Sequence, residues 1–274
     1  MKAIEEQTIL ITGATDGLGK QAALELAKKG ATVLLHGRNP EKTQKTLQEI
    51  RNFTGNDKLE YYLADFASLE EVRRLAQDIK YRHDRLDILI NNAGIGAGAR
   101  QARRELSHDD YELRFAVNYL APFLFTHLIL PLVQNSTPSR IINVASVGQD
   151  AIDFDDVMLE KSYDGIRAYS QSKLALVMFT FDLAEKLKQD NVTVDCLHPA
   201  SLMNTKMVSE TFGSSMSTVE EGTDALLYLV ESSDLDGVTG EFFNGKQRAK
   251  ADAQAYDEKA RQQLWNLSEE LTKL

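Results

Sequence analysis

The stretch Thr12-Gly13-Ala14-Thr15-Asp16-Gly17-Leu18-Gly19 follows the apolar run Ile9-Leu10-Ile11 and leads into the helix-forming segment from Lys20 to Lys29. A strand, a glycine turn and a helix in that order make a cradle for an anion. Glycine lets the backbone approach the charge, and the helix aims unpaired N–H groups and the positive end of its dipole at it. The spacing Gly13-x-x-x-Gly17-x-Gly19 differs from the GxGxxG fingerprint and lacks the Gly-Lys-Ser/Thr ending of an ATP-binding loop. It points to a dinucleotide. A tight connection that binds nothing would look the same in isolation, so the rest of the chain decides.

Strand and helix patterns alternate throughout. Thr32 to Gly37 is a β-rich run, and Asn39-Pro40 supplies a cap and a first-turn proline for a second helix. Leu59 to Ala64 reads as a third strand, with Ser68-Leu69-Glu70-Glu71 as a capping box for a helix to about Arg82. Leu86 to Ile90 is a fourth strand, Ser107 to Asp110 begins a long helix reaching Leu130, and Arg140 to Ala145 is a fifth strand. A helix from Ala168 to Gln189, a strand from Val192 to Leu197, a helix opened by the box Thr218-Val219-Glu220-Glu221 and a last strand Gly240 to Phe243 complete the series. Near-continuous apolar strands alternating with helices predict an α/β fold: one Rossmann-type, doubly wound parallel sheet of about seven strands, with helices on both faces. No linker interrupts it, so residues 1–274 form a single domain, ending in a docked helix over about 251–274 with Leu264-Trp265 and Leu267 on its apolar stripe.

Net charge is −10 and no Lys/Arg cluster is dense enough to neutralise a phosphate backbone, which argues against nucleic acid. Cys196 is the single cysteine, so no intramolecular disulfide or cysteine-rich zinc site can form; together with the lack of a basic, apolar leader in Met1 to Gln7, this gives the expectation of a cytoplasmic protein. Val117 to Val133 is apolar but broken by Asn118, Pro122, His127 and Pro131, which suits a buried helix and not a membrane span.

In such folds ligands lie at the carboxyl ends of the strands. Arg38 follows the second strand, about 20 residues past the glycine loop, where NAD-binding proteins place an acid for the ribose 2′-hydroxyl. Here the run is His36-Gly37-Arg38-Asn39, and a guanidinium can pair with a 2′-phosphate, so NADP is favoured over NAD. A solvated loop arginine would leave the same residue. Asp65, after the third strand, can accept from the adenine amino group or simply cap a turn. Asn91-Asn92-Ala93-Gly94, after the fourth, offers small residues under the adenosine ribose and amides that tie adjacent loops together.

The chemistry centres on Tyr169-Ser170-Gln171-Ser172-Lys173. Positions i and i+4 share a helix face, so the ammonium neighbours the phenol and is expected to favour its phenolate. Ser146 ends the fifth strand and faces the same crevice, where its hydroxyl can bond a substrate carbonyl. Asn118, an amide inside the long helix, wants a partner: it either braces the helix or holds a water that links Lys173 to solvent.

Taken in order, Thr12-Gly-x-x-x-Gly-x-Gly19, Asp65, Asn91 to Gly94, Asn118, Ser146 and Tyr169-x-x-x-Lys173 make the chain resemble the short-chain dehydrogenase/reductase family over essentially its whole length. The resemblance implies Tyr169 as acid/base, Lys173 as its activator and ribose anchor, Ser146 as ligand of the substrate oxygen and Asn118 as relay. It implies cofactor contacts at Gly13, Thr15, Asp16, Gly17, Leu18, Gly19, Arg38, Asp65, Phe66, Asn92, Ala93, Gly94, Tyr169, Lys173, Pro199 and Thr205, and no metal. The enlarged loop with Asp153-Phe154-Asp155-Asp156 and the tail Leu264 to Leu271 are similar to the retinol-dehydrogenase-like and WW-domain-oxidoreductase-like branch, which also resembles protochlorophyllide reductases. That implies a lipophilic carbonyl or alcohol as substrate, with C=C reduction or non-catalytic dinucleotide sensing or scaffolding as alternatives. His198-Pro199-Ala200-Ser201 departs from the family's Pro-Gly. The segment 199–217, with Met203, Met207, Phe212 and Met216, would cover the substrate, and the family implies a homodimer through the helices carrying Asn118 and Tyr169.

Overall fold

Successive side chains of a strand face opposite ways, and in this chain both sets are apolar. In β1 (Thr8–Ile11), Ile9 and Ile11 join one buried cluster while Leu10 joins the other; Val33 and Leu35 against Leu34 in β2 (Thr32–Gly37), and Ile88 and Ile90 against Leu89 in β4 (Ile88–Asn91), repeat the division. A sheet apolar on both faces must be covered on both. In this computed structural model, which describes residues 1–98 and 103–274 and leaves out the side chains of Glu210 and Phe212, it is.

The first face carries α1 (Gly17–Lys28), α2 (Pro40–Thr54) and α8 (Val219–Glu231). The second carries α3 (Leu69–Arg82), α5 (Ala121–Gln134), α6 (Gly165–Lys186) and α9 (Glu258–Thr272). With β3 (Leu59–Leu63), β5 (Ser139–Val144), β6 (Val192–His198), β7 (Phe242–Asn244) and β8 (Gln247–Ala249), the strand order is β3-β2-β1-β4-β5-β6-β7-β8. All neighbours are parallel except β7 and β8. The order reverses between β1 and β4, which opens a crevice at their carboxyl ends.

The sheet therefore has eight strands, one more than expected. β8 returns from β7 after the two-residue turn Gly245-Lys246, pairing Asn244 with Gln247. The other strands end within two residues of their expected bounds. Several helix ends differ from expectation for local reasons. Ser107 to Asp110 forms a turn, with the Ser107 hydroxyl accepting from Tyr111 N at 3.2 Å; the helix starts instead with α4 (Leu113–Phe115), capped by Glu112, and runs to Gln134. Ser68 caps α3, but Glu71 turns to the Asp65 amide, so there is no reciprocal box. At Thr218 the reciprocal box is present. Asp164 starts α6 at Gly165, and the tail begins with a 3₁₀ turn, Ala253–Tyr256, before α9.

Between α4 and α5 the chain makes a π-helical turn, Ala116–Leu120, centred on Asn118. The continuous stretch Leu113–Gln134, of mean hydropathy 1.6, is long and apolar enough to cross a membrane; here 78% of its most apolar window is buried in the protein. α9 lies over α5 and α6. Trp265 meets Phe123 edge-on at a centroid distance of 5.3 Å and His127 at 5.2 Å, and Lys186 stands 4.3 Å above its ring. The Tyr119 and Ser268 hydroxyls bond at 2.6 Å, and Arg261 pairs with Asp182. The chain's own last helix thus packs on the side of α5 and α6 through which the resemblance implies a second subunit.

Candidate active site

The glycine loop is built from below by the segment after β4. The Thr12 hydroxyl accepts from the amides of Asn92 (2.9 Å) and Ala93 (3.0 Å), and the Asn92 amide donates to the carbonyls of Thr12 (2.9 Å) and Gly13 (3.1 Å). A methyl group on Gly13 would stand 2.8 Å from Ala93 Cα, and one on Gly19 would run into the Asn92 amide and the Gly13 carbonyl. Gly17, at φ +46°, opens α1 in the left-handed region that glycine adopts freely. The loop-tying role of Asn92 was readable in the sequence. Thr12 as its hub was not, because the motif marks the residue without saying what its hydroxyl bonds.

Nor was the role of His36. Its ring, stacked 4.4 Å from Phe66, accepts from Gly13 N through Nδ1 and faces the Ala64 carbonyl through Nε2 at 3.0 Å. Because Nδ1 accepts, the proton sits on Nε2. Burial pushes the pKa down to about 4, so the ring is neutral and joins the ends of β1, β2 and β3.

The expected cofactor residues take several positions around this loop. Thr15 packs against Gly37, and Leu18 is buried beside Gly222. Asp16 caps α1 by accepting from Gly17 N at 2.8 Å, and a hydrogen bond from Lys42 at 2.6 Å, foremost, holds its carboxyl below the usual range. Arg38 is exposed and makes no side-chain hydrogen bond or ion pair among the described residues. Asp65 turns its carboxylate onto Ala67 N at 2.9 Å, the turn-capping alternative, and Phe66 is a core residue.

Beyond β6, the His198 ring meets the Ser201 hydroxyl at 3.1 Å, and Ser217 donates to the Ser201 carbonyl at 2.6 Å, ordering the segment that lacks the Pro-Gly pair. Burial first, then the Lys173 charge, push the His198 pKa down to about 4. Pro199 packs near Gly222. Thr205 caps α7 (Lys206–Phe212) with its hydroxyl and sets its methyl beside Gly17, so the covering segment touches the glycine loop. Met207 reaches Gly96 on the far side. Met203 is no cover: it plugs inward between Gly222 and the core. Met216 is 78% exposed, and the Phe212 side chain lies outside the described residues.

The chemical residues converge. A methyl on Gly148 would stand 3.4 Å from Ser146 Oγ and 3.9 Å from Tyr169 Cε1, so the two side chains border one corner, and the Ser146 oxygen accepts from Gly148 N at 3.0 Å. Lys173 donates to the Val144 carbonyl at the end of β5 (2.9 Å), and its Nζ lies 5.8 Å from the Tyr169 ring centroid. A methyl on Gly94 would stand 3.2 Å from Asn118 Oδ1 and 3.5 Å from Lys173 Nζ, so these three groups share one corner. Asn118 braces. It accepts from Ile95 N (2.8 Å) and donates to the Ile95 carbonyl (3.1 Å) and to Ser172 Oγ (3.0 Å), which itself donates to the Tyr169 carbonyl.

Burial raises the Tyr169 phenol above its ordinary value, outweighing the opposite effect of the nearby Ser146 hydroxyl, and burial likewise brings Lys173 down to about 8. The raised direction keeps the phenol protonated.

The family model for short chain dehydrogenases matches residues 7–215. Human retinol dehydrogenase 13 is 37% identical over 99% of this chain and 86% of its own, and human polyprenol dehydrogenase 32% identical over 97% and 85%. Among solved structures, an uncharacterised protein from Mycobacterium paratuberculosis superposes with a TM-score of 0.81 at 29% identity, covering 98% of this chain and 94% of that one. A protein from Escherichia coli CFT073, described as a short chain dehydrogenase complexed with NADPH, gives 0.72 at 28% identity over 88% and 97%. With a nicotinamide-dinucleotide cradle, a convergent Ser146, Tyr169 and Lys173, and these relatives, the chain belongs to the short-chain dehydrogenase/reductase family, in its retinol-dehydrogenase-like branch, and is an oxidoreductase of alcohols and carbonyls.

Proposed function

We propose that the protein is an NADP-dependent oxidoreductase interconverting a lipophilic carbonyl and its alcohol, with Tyr169 as the acid/base. The observation that carries this is the junction of Ser146, Tyr169 and Lys173 at the end of β5, beside the glycine loop. The cradle fits a dinucleotide: Gly13 and Gly19 have no room for a side chain, and Arg38 is free to take a 2′-phosphate. Gly13, Gly17, Gly19, Asn92 to Gly94 and Thr205 would hold the cofactor, with Lys173 on its ribose. When bound, the cofactor supplies or accepts the hydride at the carbonyl carbon.

The chain's own residues do the rest. Ser146 orients the substrate oxygen by a hydrogen bond, and Tyr169 gives that oxygen its proton in reduction or takes it in oxidation. The raised phenol pKa suits the donor role. Lys173, anchored on Val144, favours the phenolate left behind. Asn118 and Ser172 fix Tyr169 from its main chain.

Lipophilicity is supported by exposed apolar side chains next to these groups: Val147 follows Ser146, Ile166 lies one turn before Tyr169 on α6, and Met207 sits on Gly96. Two of the relatives are named for a retinoid and a polyprenol alcohol. With α9 on α5 and α6, we also propose that the chain works without a second subunit on that face.

The test is NADPH oxidation with a panel running from small ketones to all-trans-retinal and decanal, with cofactor binding measured in the same samples. Turnover confined to long apolar carbonyls is expected. Tight binding of NADPH with no turnover on any compound would overturn the enzymatic reading.

A further inference from the structure

The segment after β4 has two halves with different partners. Asn92 and Ala93 are tied to the glycine loop, on the cofactor side. Ile95 and Gly96 are tied to the helix that starts at Leu113: Asn118 clamps both polar groups of Ile95, and one turn earlier Arg114 Nε donates to the Gly96 carbonyl at 3.2 Å. Arg114 is a buried guanidinium, its side chain 4% exposed, paired with Glu105 at 3.2 Å and with Glu112 at 3.6 Å, whose side chain is 1% exposed.

Glu112 in turn accepts from Phe115 N at 2.8 Å and from the Tyr163 hydroxyl at 3.3 Å, while its main-chain N–H meets Met158. Burial, foremost, with the Glu112 charge beside it, pushes the Tyr163 phenol up to about 12, so the hydroxyl stays a donor. Tyr163 and Met158 belong to the enlarged loop between Ser146 and Tyr169. Gly96 carries Met207: a methyl there would stand 2.8 Å from Met207 Cγ.

We infer that Arg114, paired with Glu112, is a positioning residue that sets the substrate-side wall by fixing Gly96, the seat of Met207, against the enlarged loop. The physical reason is geometric. A buried ion pair is a poor source of stability, since desolvation offsets its attraction. A planar guanidinium, however, reaches a carbonyl and two carboxylates at fixed angles, which an ammonium cannot copy. The three segments that meet here border Ser146, Tyr169 and α7, whereas the cofactor-side contacts lie in the other half of the loop. Loss of Arg114 therefore acts on the substrate and spares the cofactor.

This inference rests on the proposed oxidoreductase reading for its kinetic arm only. Arg114→Met alone would strand the buried Glu112 charge, so the probe is the double variant Arg114→Met/Glu112→Gln, with Arg114→Lys beside it. With decanal and NADPH, the double variant is expected to raise KM for decanal at least about tenfold while kcat and the NADPH Kd change less than about threefold. Arg114→Lys is expected not to restore KM. Amide exchange is expected to speed up over Ile95–Ala97 and Lys206–Thr211 and to stay unchanged over Gly13–Gly19. An unchanged KM with unchanged exchange, equal losses of decanal and NADPH binding, or full rescue by Arg114→Lys would overturn the inference. If the unmodified protein reduces no carbonyl, the functional reading fails and the exchange pattern still decides the role of Arg114.

Discussion

The amide of Gly13 donates to Nδ1 of His36 at 3.2 Å, so the first glycine of the cradle is held by a neutral imidazole. Protonation of that ring removes the acceptor. His36 titrates near 4 in the folded chain because of burial, against an ordinary value of 6.5, so the unfolded chain binds more protons between these limits. Stability is complete above about pH 6.5 and falls as pH drops toward 4, by on the order of 3 kcal/mol for this group. Urea unfolding from pH 7.5 to 4.5 measures it. His36→Gln should flatten part of the slope, leaving the share due to His198, which shifts the same way.

Tyr169→Phe keeps the ring and removes the proton. Turnover should fall about a hundred- to ten-thousand-fold while NADPH binding and the thermal midpoint hold. Full turnover in a folded variant would remove Tyr169 from the mechanism.

Arg38→Ala should weaken NADPH about ten- to a hundredfold and leave NADH unchanged, the loss expected for a charge-assisted hydrogen bond. Titration of both cofactors reads it directly; parallel changes would make Arg38 a bystander.

Gly19→Ala places a methyl against the Gly13 carbonyl, a main-chain group, and against the Asn92 side-chain amide, which its two hydrogen bonds to Thr12 and Gly13 hold in place. Overpacking here should cost about 1–3 kcal/mol and abolish dinucleotide binding. Calorimetry on the variant gives both numbers.

Trp265→Ala empties the aromatic box over Phe123, His127 and Phe179. It should destabilise the chain by about 3–5 kcal/mol. It should also expose apolar surface on α5 and α6, so sedimentation is expected to show more association than for the unmodified protein.

The doubly wound class and the candidate site residues were legible where chemistry depends on spacing along the chain. Gly13, Gly17 and Gly19 follow a strand, and Tyr169 and Lys173 are four apart, whatever surrounds them. What depends on burial was not. The Tyr169 shift was argued from the charges of Lys173 and an oxidised nicotinamide, and the burial that raises the phenol has no mark in the sequence. His36, Arg114 and Glu112 carry no sequence mark of being enclosed. Gln247-Arg248-Ala249 shows no apolar alternation, so β8 has no local signature and forms only because the turn before it folds it onto β7. Ser107 has the composition of a helix cap, yet its hydroxyl serves a turn.

The π-helical turn at Ala116–Leu120 adds one residue to the repeat, which rotates everything beyond it by about 100° relative to an unbroken helix. Leu113–Phe115 and the turn can therefore lean on α6 while Ala121–Gln134 leans on α3, although a single straight stripe would serve only one of them. Deleting one residue within the turn would not shorten the helix so much as dial its two ends into the same phase. One end would then present the wrong side to the sheet, and Asn118 would swing away from Ile95. The aim of the amide is set by a residue count, which makes this turn less tolerant of a single deletion than of most substitutions.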